Sequence, residues 1–171
     1  MIMPRGQQLL LPVNPLFIGL SILVAFVCSL LPLGWVWMPD ILLLVLTFWG
    51  IHQPLRVGMG VAFFLGLGLD VQQSALLGQH ALAYVLVMFV AYSARLRLLW
   101  FPPLTQALLL LPVFFMAHGL QMLVRMASGG LFPGPWLLLA PVLETLLWPF
   151  VTVLLLAPQR RAPDTDDKRP L

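Results

Sequence analysis

Residues 104–123 read LTQALLLLPVFFMAHGLQML, a run without a single Asp, Glu, Lys or Arg. About 20 predominantly apolar residues, rising roughly 1.5 Å each in a helix, match the ~30 Å hydrocarbon core of a bilayer. The run is therefore predicted to be a transmembrane helix, and the rest of the chain repeats the pattern. Apolar stretches recur at Pro15 to Gly34, Asp40 to His52, Val57 to Val71, His80 to Ala94 and Trp136 to Leu156, and the segments between them collect Pro, Gly and charge. Of the 171 residues, 61% are hydrophobic and only 9% charged, against about a quarter charged in a soluble domain. Six spanning helices use roughly 120 residues, which leaves short loops, two short ends and no room for a separate soluble domain. The expected fold class is an all-α membrane protein, a compact bundle of six transmembrane helices over residues 1–157. A charged, Pro-containing tail over residues 158–171 is expected to be disordered.

Two of the six are short for a full span. Counting the segment Pro32 to Pro39 with the second gives it a workable length, and Trp35 and Trp37 in that segment suit the headgroup level. The first run is too long for the core of a signal peptide and no A-x-A site follows it, so it is expected to be a retained helix. Six helices with both termini cytoplasmic place Arg5, Arg56, Arg95, Arg97, Arg160, Arg161, Lys168 and Arg169 on the inner side and Arg125 alone on the outer. That asymmetry is the positive-inside pattern, and dropping any one helix would scatter it. It also gives the net charge of +3 a topological meaning rather than a nucleic-acid one, since there is no basic stripe with interleaved aromatics. The single Cys28 lies in an apolar run and reads as a packing residue.

The third helix has the most informative face. Gly58, Ala62, Gly66 and Asp70 are spaced by four and form one stripe, with Gly60 and Gly68 as a second row of little bulk. Small residues let another helix come close. The stripe is expected to be an internal packing face, a docking face for a partner's helix, or both. Asp40 stands at the start of the second helix, placed to cap it. Asp70 is either a solvated helix end or part of a polar cluster. Glu144 is expected about two turns, or ~12 Å, inside the sixth helix, where an ionisable group needs a partner. His118, Gln121 and Arg125, at spacings of three and four on the fifth helix, offer one. An intramembrane polar cluster of His118, Gln121, Arg125 and Glu144 is expected, as a structural clamp or a ligand or proton site. No G-x-S-x-G, H-E-x-x-H or metal-ligand cluster occurs, so no catalytic residue, metal or cofactor is expected. Gly66-Leu-Gly68-Leu-Asp70 misses the G-x-G-D of intramembrane aspartyl proteases by one residue.

Residues 66–84, GLGLDVQQSALLGQHALAY, carry a resemblance, with PDILLL at 39–44, Trp49, Pro54 and RVGMGVAFF at 56–64. Over roughly residues 10–157 the chain resembles the MreD family, the rod shape-determining membrane proteins of bacteria. The family-like motif is Asp70, Gly78, Gln79 and His80. The resemblance implies a non-catalytic, multi-pass scaffold of the bacterial inner (cytoplasmic) membrane. Its partner would be an MreC-like single-span protein, and through it the MreB filament and the peptidoglycan synthases of the cell-elongation machinery. The family's fold is also similar to the substrate-binding subunits of energy-coupling-factor vitamin transporters. A small-molecule-binding membrane subunit is therefore the alternative.

Overall fold

The computed structural model describes residues 13–31, 38–132 and 134–159. Among these residues all regular structure is helical: α1 (Pro15–Leu30), α2 (Ile41–His52), α3 (Met59–Gln72), α4 (Gln79–Leu99), α5 (Pro103–Ala127) and α6 (Leu139–Leu156). Single 3-10 turns at Pro135–Leu138 and Ala157–Gln159 flank α6. By length and composition α4, α5 and the stretch Pro135–Gln159 can each cross a membrane, whereas α1, α2 and α3 are apolar but shorter. At 1.5 Å per residue α2 is only about 18 Å long and α5 about 38 Å.

The helix starts follow from local chemistry. Asn14 caps α1 by accepting from the Leu16 N–H at 3.0 Å, with Pro15 in the first position where its missing donor costs nothing. Asp40 caps α2 by accepting from the Leu43 N–H at 3.0 Å. Pro103 opens α5. Gly78, at φ +100, precedes α4 in the left-handed conformation and has no side chain with which to cap it.

Consecutive helices run antiparallel. The Gln72 side chain donates to the Leu30 carbonyl at 2.9 Å, joining the ends of α3 and α1, and Arg56 donates to the Val13 carbonyl at 3.1 Å, joining their starts. One end of the bundle thus gathers Arg56, Arg95 and Arg97, and the other gathers Asp40, Asp70 and Glu144. These are called the arginine end and the acidic end below.

The apolar α2 lies in the middle, against α1, α4 and α6, with every residue from Leu42 to Ile51 buried. A helix that is hydrophobic all round has no face to give to water. Beside it Trp148 packs near Phe48 and Phe114 and donates its indole N–H to Gln106 at 3.2 Å. The outer surface is the reverse of a soluble protein's: Phe64 is 73% exposed, Phe150 72% and Leu154 69%. Such a coat is stable only against lipid or a partner.

Several boundaries differ from the sequence expectation. α3 starts at Met59 rather than Val57. α4 runs on past Ala94 through Arg95 and Arg97, because long cationic side chains at a helix end can reach the interface without breaking the helix. α5 likewise continues through Arg125. Trp136 belongs to the 3-10 turn and α6 begins at Leu139, so Glu144 sits about 8 Å into the helix rather than 12 Å. α1 ends at Leu30, with Leu31 already extended; residues 32–34 of the expected first helix, Trp35, Trp37 and the tail from Arg160 lie outside the described residues.

Candidate functional site

The α3–α4 pair builds the first half of the site. A Cβ added to Gly66 would lie 2.5 Å from the Ala81 Cα and 2.7 Å from its nitrogen, so here the two backbones touch. Ala62 and Asp70 on the same stripe are fully buried, while Gly58 is half-buried and a Cβ added there would meet only the Pro54 carbonyl, at 3.9 Å. In the second row a Cβ added to Gly68 would lie 3.1 Å from the Phe26 ring, and one added to Gly60 would meet nothing within 4 Å. The stripe is thus tight at one end and loose at the other.

That close approach delivers the Asp70 carboxylate to the uncapped start of α4. One oxygen accepts from the His80 backbone N–H and from the His80 ring Nδ1, both at 2.8 Å; the other accepts from the Gly78 N–H at 2.8 Å. The ring bond requires the proton on Nδ1. Asp70 is therefore not a solvated helix end. It caps a neighbouring helix, satisfying orphan donors where the helix dipole favours a negative charge. Within the family-like motif, Asp70, Gly78 and His80 form this one unit. Gln79 lies between them, half-buried, with its N–H bonded to the Leu76 carbonyl.

The second half joins α2, α4, α5 and α6. One Glu144 oxygen accepts from the Asp40 N–H at 2.9 Å and from His118 Nε2 at 2.8 Å. Asp40 in turn accepts the Tyr84 hydroxyl on the oxygen not used to cap α2. The Tyr84 ring stands edge-on to that of His80, 6.1 Å between centroids. A belt of polar side chains therefore crosses the acidic end: Asp70 and His80, then Tyr84, Asp40, Glu144 and His118. Of the expected cluster, the structure brings together only His118 and Glu144. Gln121 is buried with no partner for its Nε2, and Arg125 is exposed. Arg125 lies two turns, about 10 Å, beyond His118 on α5, too far toward the bundle end to meet the acid. Tyr84 was missed by sequence reasoning. Its spacing of four from His80 was the one signal that placed both on one face.

Beside the belt lies a cleft of about 520 Å³. Asp40 and Ile41, at the start of α2, line it. His80, His118, Gln121 and Arg125 contribute a polar wall, and Leu69 and Leu137 an apolar one. Ser29, also in the lining, has a buried hydroxyl without a partner, as has the Gln121 amide. The walls thus keep unused hydrogen-bonding capacity. Among the described residues no group of three or more His, Cys, Asp or Glu is placed to hold a metal ion.

Residues 8–157 match the model of the family described as rod shape-determining protein MreD. The chain belongs to the MreD family. Rod shape-determining protein MreD of Haemophilus influenzae is 33% identical over 139 residues, covering 77% of this chain and 83% of that relative. No solved structure matches the chain. MreD is a shape-determining, structural family and not a known enzyme family. Membership is consistent with a role in cell shape, and together with the three long apolar helices it marks this chain as a membrane protein. The MreD match takes in all six helices, and with them each residue of the polar belt and the cleft.

Proposed function

We propose that this MreD-family chain is a non-catalytic scaffold that crosses the bacterial inner membrane six times, with both termini in the cytoplasm. At the cleft on its acidic, outward end it holds an MreC-like single-span partner. Through that partner it is coupled to the MreB filament and to peptidoglycan synthesis, and so maintains rod shape. The observation that carries this reading is the cleft itself: a cavity of about 520 Å³ whose wall includes the buried, unpaired Gln121 amide. A docked segment would cover the apolar wall of Leu69 and Leu137 and meet the exposed Arg125 at the rim. The charge asymmetry supports the orientation. The short α2 is shielded from lipid by its neighbours, so its length does not have to match the bilayer.

The test is co-purification. The full-length chain, solubilised in mild detergent, is expected to retain an MreC-like protein, and its depletion is expected to round the cells. No co-purifying partner, together with normal rods on depletion, contradicts the proposal.

The size of the cleft favours one second reading, since small-molecule sites run about 300–1,000 Å³. A substrate-binding subunit would carry a bound small molecule out of the membrane through purification, and its loss would leave cell shape unchanged.

A further inference from the structure

Among the described residues the arginine end has cations and no carboxylate. Among the described residues the three carboxylates, Asp40, Asp70 and Glu144, all lie at the acidic end and are engaged there. α4 carries Arg95 about 22 Å beyond the Asp70-bound His80. Arg95 is half-buried, and its Nε is sealed from solvent without a hydrogen-bond partner. Arg97 follows it in the last turn, exposed. His52 at the end of α2 lies within electrostatic reach of Arg95. Neighbouring residues along the same stretch expose apolar surface: Tyr92, Leu96 and Leu99 on α4, then Trp100 and Phe101. Arg56 differs, because its guanidinium already donates to the Val13 carbonyl.

We propose that Arg95 and Arg97, which flank the exposed strip of Tyr92, Leu96 and Trp100 on its two sides, bind headgroup phosphates of anionic phospholipids at this end of the bundle, with the strip against their glycerol and acyl chains. A phosphate supplies the acceptors that a guanidinium fork matches, and charge attraction to anionic headgroups acts within a Debye length of the surface. An acidic protein segment would offer the charge but leave the apolar collar uncovered. A phospholipid answers both, with Trp100 at the level where indole rings settle. The inference rests on the chain being embedded in a membrane, and does not depend on the partner proposed for the cleft.

The experiment uses the full chain with phosphatidylglycerol or phosphatidylcholine as the probe. Flotation with vesicles of either lipid comes first, and failure to float with both would sink the membrane reading itself. For protein in detergent, added phosphatidylglycerol is expected to raise Tm by about 5 °C or more near saturation, and phosphatidylcholine to leave it unchanged. High salt is expected to reduce the shift. The pair Arg95→Gln and Arg97→Gln is expected to lose most of it, and Arg125→Gln, at the opposite end, to keep it. Should the double variant fail to fold, Arg97→Gln alone, at an exposed position, is expected to lose part of the shift. Equal shifts with the two lipids, or an undiminished shift in the Arg97→Gln variant, overturn the proposal. A shift given by an acidic peptide but not by phosphatidylglycerol overturns it in favour of a protein partner.

Discussion

Asp70 and Glu144 each hold donors that have no other acceptor, and this makes their replacement costly in a definable way. Asp70→Ala leaves the Gly78 and His80 amides at the start of α4 without their cap. A loss of about 2–3 kcal/mol is expected, read from thermal unfolding in detergent. Glu144→Gln keeps an oxygen able to accept from the Asp40 N–H and His118 Nε2, and a cost within about 1 kcal/mol is expected. Glu144→Leu strands both donors in a buried place and is expected to cost about 2 kcal/mol or more. Equal effects of Gln and Leu would show that the acid does not work through these bonds. The Glu144–His118 meeting was legible in the sequence, because both residues fall at similar depth on adjacent helices. Arg125 was the better electrostatic candidate, but its place two turns further along α5 takes it to the cleft rim. The bond from Tyr84 to Asp40 joins positions that no periodicity relates, and only the folded packing of α2 against α4 brings it about.

Helix α3 shows what a small-residue stripe can and cannot tell. The period of four was visible, and it marked a face. Which of its glycines is tight depends on where α4 approaches closest, and that is set by the Asp70 cap at one end of the pair. Gly66→Ala drives a methyl group into the Ala81 backbone. It is expected to cost about 1–3 kcal/mol, the range for overpacking. Gly60→Ala has nothing within 4 Å and is expected to be neutral or to stabilise by up to about 1 kcal/mol, through helix propensity. Thermal unfolding of the two variants side by side checks this, and a Gly60 variant as damaged as the Gly66 variant would mean that the exposed row is covered by something. The helix ends were less legible than the helix centres. Charge read as a stop, yet α4 passes through Arg95 and Arg97, and α5 through Arg125.

For the molecule as a whole, the sequence revealed an all-helical, apolar chain and the order of its helices, because hydropathy and the placement of arginine act along the chain. The cleft was not legible. It arises from the convergence of α1, α3, α4 and α5 around the start of α2. Topology is open to a direct check: a reporter fused after Arg161 is expected to be active only as a cytoplasmic fusion, and periplasmic activity would remove the six-span arrangement.

The central claim is that the cleft at the acidic end docks the partner on which cell shape depends. Gln121→Trp fills that cleft from the α5 wall while leaving the Asp70–His80 and Glu144–His118 bonds in place. The decisive measurement is the amount of MreC-like protein that co-purifies with this variant, relative to the unaltered chain, from cells that carry no other copy. A variant that folds with unchanged Tm, loses the partner and yields rounded cells is the expected result; a folded variant that retains the partner in full and sustains rods contradicts the claim.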